Sequence, residues 1–127
     1  MTEPKCGCGG ASKLVFACAG GADVGELTDK AARKLSRDGA AKISCLAGVG
    51  GGISGFVASA QGADATLVLD GCPQDCGKKT MEKNGVTGFK HLRLNDCGYQ
   101  KGKSPATEQN IAAVCMKARE HLVVPAK

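Results

Sequence analysis

Aromatic residues are nearly missing from this chain. Tryptophan is absent, and one tyrosine and three phenylalanines make up 3% of the 127 residues. Proteins that grip single-stranded nucleic acid stack bases on aromatic rings inside a basic groove, so that class loses its main tool. The charge does not restore it. A net charge of +5 is moderate, and only Lys78-Lys79 and Lys101-Gly102-Lys103 are dense in cations, so no nucleic-acid partner is expected. Long apolar runs are lacking as well: no stretch of about 18 apolar residues occurs. The opening Met1-Thr2-Glu3-Pro4-Lys5 carries no apolar signal region. The expectation is a cytoplasmic protein with no membrane partner.

Several catalytic signatures are absent too. A small phosphatase or arsenate reductase would need an arginine at the end of Cys-x5-Arg to clamp its oxyanion. The sixth residue after Cys18 is Val24. The run from Gly48 to Gly55 holds five glycines but lacks the Lys-Ser/Thr ending of a phosphate-binding loop, and it matches a dinucleotide fingerprint only loosely, with Asp70 the nearest acidic partner. His91 and His121 are lone histidines, His91 reading as a solvated edge residue or as one that backs the thiol cluster, and no Ser-His-Asp or paired-carboxylate set stands out. The balance is against an enzyme.

Glycine and cysteine are what the chain has in quantity. Nineteen glycines are about twice the usual share, which points to tight turns and close backbone approaches. Eight cysteines in a reducing compartment read as ligands or reactive thiols rather than disulfides. Hydrophobic content of 43% with clear periodicity argues against disorder, and the length suits one α/β domain over 1–127. Residues 1–12 form a flexible, polar lead-in containing Cys6-Gly7-Cys8.

The remaining pattern alternates strand and helix. An apolar run from Leu14 to Ala19 reads as a buried strand, and Asp23 caps the next helix with Glu26 in capping-box register. Val24, Leu27, Ala31 and Leu35 follow at helical spacing, and Asp38-Gly39 ends that helix. Ala41 to Leu46 is a second strand, followed by a loop over 47–52 and a helix striped by Ile53, Phe56, Val57 and Ala60. Ala65 to Leu69 is continuously apolar and therefore central, with a short helix from Asp75 to Asn84 behind it. His91 to Leu94 alternates like an edge strand. Ser104-Pro105 opens a last helix buried through Ile111, Val114, Cys115, Ala118 and Leu122. Four such repeats imply a three-layer, doubly wound, mostly parallel four-stranded sheet with helices on both faces, of the Rossmann or flavodoxin kind.

The thiols fall in a telling place on that frame. Cys18, Cys45, Cys72 and Cys97 each stand where a strand gives way to a turn, and the carboxyl ends of parallel strands lie side by side. Cys72 and Cys76, four apart at a strand end leading into a helix, can bring both sulfurs to one centre, since a helix N-terminus stabilises thiolates. Gly77 lets the backbone approach and can donate its N–H to sulfur, as can the Gly48–Gly52 curl. Lys78 and Lys79 sit where cations are unfavourable unless a negative centre is near. A zinc ion held by four thiolates would be such a centre. The plainer alternative is a turn with a solvated charge pair, and for Cys18 and Cys45 an ordinary small core residue. Cys97 reads as filler at an edge strand or as an accessory thiol, Cys115 as core. Cys6 and Cys8 read as an exposed pair that could load soft metal or as a tail without a role.

Three linked motifs in order carry a resemblance. They are Cys18-Ala19-Gly20-Gly21-Ala22-Asp23-Val24-Gly25, the Cys45 to Phe56 segment, and Asp70-Gly71-Cys72-Pro73 followed by Cys76 and Lys78-Lys79. From about Cys18 to Gly98 the chain resembles the DGC-motif family of zinc-binding proteins. The resemblance implies Zn²⁺ bound by four cysteines, at Cys18, Cys45, Cys72 and Cys76, and leaves the biological role open between structure and metal or thiol sensing. An Fe–S or dithiol redox protein is the first alternative, and a soft-metal carrier using Cys6 and Cys8 the second.

Overall fold

A computed structural model describes residues 11–124. Four short apolar runs become four strands, β1 (Lys13–Ala17), β2 (Lys42–Ile43), β3 (Ala65–Asp70) and β4 (Lys90–Arg93). All pair in parallel, in the order β2-β1-β3-β4. Among the described residues five helices connect and follow them: α1 (Asp23–Arg37), α2 (Leu46–Gly50), α3 (Ser54–Gly62), α4 (Cys76–Lys83) and α5 (Glu108–Glu120), with a 3-10 turn at Leu94–Cys97. Parallel strands need crossovers that cover the sheet, and side-chain alternation divides the core accordingly. Val15, Ala17, Leu67, Leu69 and Leu92 face α1 and α5, packing on Leu27, Ala31, Leu35, Val114 and Ala118. Leu14, Phe16 and Val68 face the other way, onto Val49 of α2, Ala60 of α3 and Met81 of α4. The three-layer, doubly wound expectation is met, β3 is central and β4 is an edge. Among the described residues no helix is long and apolar enough to cross a membrane.

Five local expectations fail. The second strand is two residues long, not six, because Cys45 becomes the N-cap of α2, its sulfur accepting the Gly48 N–H at 3.3 Å. The glycine run expected as a loop is therefore helical at its start, where Val49 is fully buried and a Cβ on Gly48 would meet the Phe56 ring at 2.5 Å. In α3 only Ala60 of the expected stripe is buried, while Ile53 and Phe56 remain exposed. The last helix begins at Glu108, not at Ser104-Pro105, because the Thr107 side chain takes the Asn110 N–H.

Asp23 is the fifth. The cap position belongs to Ala22, and the Asp23 carboxylate instead accepts N–H groups from Gly102 at 2.9 Å and Ser104 at 2.9 Å, stapling a loop 79 residues away to α1. Just before β1, Ser12 pairs with the start of β3, donating its N–H to Asp64 and accepting the Ala65 N–H.

Candidate functional site

Because the strands are parallel, the loops after β1, β2 and β3 open on one edge of the sheet. Cys18 follows β1 directly and donates its N–H to Leu69 O at 2.9 Å. Cys45 caps α2, and Cys76 is the first residue of α4. These three thiols line one open cleft of about 960 Å³, together with Ile53, Phe56 and Thr80. Cys72 is half-buried on the turn between β3 and α4 and is not part of that cleft's wall. All six described cysteines are free thiols. Among the described residues, the one group of possible ligand atoms lying within 4.8 Å of one another is Asp70, Asp75 and His91, and the cysteines form no such group.

The donor set nevertheless has the chemistry of a soft-metal site. Its donors are sulfur, the choice of zinc and related ions. Two of the cleft thiols sit at helix starts: Cys45 Sγ accepts the Gly48 N–H at 3.3 Å, and Cys76 is the first residue of α4. Cys18 is held from behind by Thr28, a fully buried residue. The Thr28 hydroxyl donates to Gly25 O at 2.7 Å, accepts the Ala19 N–H at 3.2 Å, and lies 3.5 Å from Cys18 Sγ.

The two remaining described cysteines lie elsewhere. Cys97 packs at the rim of the α1/α5 core with its sulfur 3.8 Å from Arg93 O. Cys115 is buried, donates to Ala31 O at 3.3 Å, and has its thiol pKa pushed up by burial. Cys6 and Cys8 fall outside the described residues.

Next to the cleft stands a network that sequence reasoning missed. Asp70 ends β3 almost wholly buried, and its carboxylate accepts the N–H of Gly77 at 2.7 Å and of Lys78 at 3.0 Å. The Gly77 N–H therefore goes to a carboxylate, not to sulfur as expected. A Cβ at Gly77 would stand 2.7 Å from Val68 and 2.9 Å from Asp70 Oδ1, so only glycine brings this backbone so close. His91 is not merely solvated: its Nε2 lies 2.8 Å from Asp70 Oδ2 and 3.7 Å from Asp75 Oδ1. Arg93 forms a two-pronged pair with Asp75, Nε to Oδ1 at 2.8 Å and Nη2 to Oδ2. That hydrogen-bonded guanidinium holds the Asp75 carboxyl below its ordinary pKa, and the carboxylate raises the pKa of Arg93. The Asp75 carboxylate supplies negative charge felt by Lys78, and the Asp70 carboxylate takes the Lys78 N–H. The available signal was the alternation of β4, which puts His91 and Arg93 on one face.

Comparison with known proteins gives a consistent picture. The DGC domain family matches residues 14–118. A curated relative, the anaerobic and virulence modulator AnvM of Pseudomonas aeruginosa (strain PAO1), is 35% identical over 112 residues, covering 88% of this chain and 86% of that protein. No solved structure matches.

Proposed function

The chain belongs to the DGC family, and from that premise we propose that it binds one Zn²⁺ through the thiolates of Cys18, Cys45, Cys72 and Cys76. One observation carries the reading: three thiols from three separate strand ends share a single cleft. Cys72 lies four residues before Cys76, on the turn that leads into the same helix. Loading an ion would draw the sulfurs together, since zinc–sulfur bonds are about 2.3 Å long. When bound, zinc supplies a closed, redox-inert thiolate centre, the kind that serves structure or metal and thiol sensing. A sensing role is in keeping with a relative named as a modulator.

The test is metal content per chain, by mass spectrometry on untagged full-length protein purified without oxygen. One zinc per chain, lost in Cys45→Ser and in Cys72→Ser, is the expected result. Zinc retained in Cys72→Ser but lost in Cys45→Ser would reduce the ligand set to the three cleft thiols. Iron with inorganic sulfide, or no metal at all, would overturn the zinc reading in favour of electron transfer or of redox thiols.

A further inference from the structure

Two described residues other than glycine hold a left-handed backbone: Ala19 at φ 53° and Asp75 at φ 57°. Each adjoins a cleft cysteine, Ala19 after Cys18 and Asp75 before Cys76. Such a conformation costs an L-residue free energy and persists only where neighbours hold it. Asp tolerates it better than most residues because its short side chain can bond its own local backbone. Here the side chain makes no cap hydrogen bond to α4. It goes to Arg93 on β4, while His91, two residues earlier on the same strand, holds Asp70. The segment from Asp70 to Asp75, with Cys72 inside it and Cys76 at its end, is thus tied to the edge strand at both ends.

We propose that Arg93 is a positioning residue for Cys76: its fork on Asp75 keeps that residue left-handed, and the left-handed turn aims the Cys76 thiol into the cleft shared with Cys18 and Cys45. The purpose of the device rests on the metal-binding reading above, but its test does not. Guanidinium is suited to the task because its planar fork fixes the orientation of a carboxylate, where an ammonium gives only a point charge.

The experiment measures alkylation of individual cysteines by iodoacetamide in the metal-free, reduced full chain, read by peptide mass spectrometry. The quantity of interest is the rate at Cys76 relative to Cys45. Arg93→Ala is expected to change that ratio severalfold, and Arg93→Lys to behave like Arg93→Ala, because charge without the fork is insufficient. The double variant Arg93→Ala with Asp75→Gly removes one charge of each sign and places at 75 a residue that needs no partner to be left-handed. It is expected to return the ratio to the wild-type value. An unchanged ratio in Arg93→Ala, or an altered one in the double variant, would overturn the proposal. Should Arg93→Ala fail to fold, Arg93→Lys takes its place beside the double variant, an altered ratio in it supporting the device and an unchanged one sinking it. Zinc affinity measured in parallel by chelator competition is expected to fall roughly 10–100-fold in Arg93→Ala, the range for residues that orient a metal ligand. Absence of zinc binding in the wild type, with the alkylation pattern intact, would refute the metal reading and leave the positioning role standing.

Discussion

At Gly25 the chain shows how little room surrounds Cys18. A Cβ built there would stand 2.3 Å from Gly20 O, a clash with backbone that no side-chain rotation relieves. The helix start carrying Gly25 and the turn carrying Cys18 are therefore in direct contact, and Thr28 one turn further on locks them together through Gly25 O and the Ala19 N–H. Gly25→Ala is expected to force the two apart, costing about 1–3 kcal/mol as over-packing does. Urea unfolding should show a lower midpoint at unchanged slope, and an unchanged midpoint would mean that the turn yields freely. What the sequence conveys at this scale is uneven. The strand-end cysteines are legible because each follows an apolar run. The Asp70–His91 and Asp75–Arg93 pairs join residues 21 and 18 positions apart across the sheet, and no local period encodes which carboxylate a cross-strand cation will meet.

Between elements, the contact made by Asp23 carries a pH dependence of definite sign. Its carboxyl is held below the ordinary value, first by the Gly102 N–H and then by that of Ser104, both of which favour the charged form. A depressed pKa in the folded state means that the contact stabilises fully above the unfolded value of about 3.9, and that this stability is lost as pH falls through the lower folded value. Amide exchange at Gly102 and Ser104 is expected to be protected near neutrality and to lose protection in acid. In Asp23→Asn, protection is expected to be weaker already near neutrality and to lack that acid transition. Protection of both amides unaffected by Asp23→Asn would show that the loop is held by something else. The same contact explains why the helix does not start as its capping-box spacing predicts. Asp23 and Glu26 have capping-box spacing, but the carboxylate is engaged by a loop from the far end of the chain, and Ala22 O takes the Glu26 N–H. Strand and helix order were readable from periodicity. The start of α2 was not, because glycine-rich helices form only where packing, here Val49 and Phe56, compels them.

Across the whole molecule, the two cores share β1 and β3, whose alternate residues feed opposite faces. Phe16 and Val68 belong to one core, and Val15, Leu67 and Leu69 to the other. A cavity cut in either face must therefore loosen the strands on which the other face depends. Leu35 lies fully buried in the α1/α5 layer, and Met81 fully buried in the α2–α4 layer. Leu35→Ala and Met81→Ala are each expected to cost about 2–5 kcal/mol, the range for emptying a packed site. That is a large part of the roughly 5–15 kcal/mol available to a small domain. Both variants should shift one common transition, with far-UV circular dichroism and alkylation of the buried Cys115 changing at the same urea concentration. If Met81→Ala moved the circular dichroism signal while Cys115 stayed protected, the layers would unfold separately. The cleft between the strand ends would then rest on a frame that can open on one side while the other stays closed. Coincident transitions instead tie the cysteine-bearing edge to both cores, so that anything binding at the cleft in the folded state alone stabilises the entire sheet by linkage.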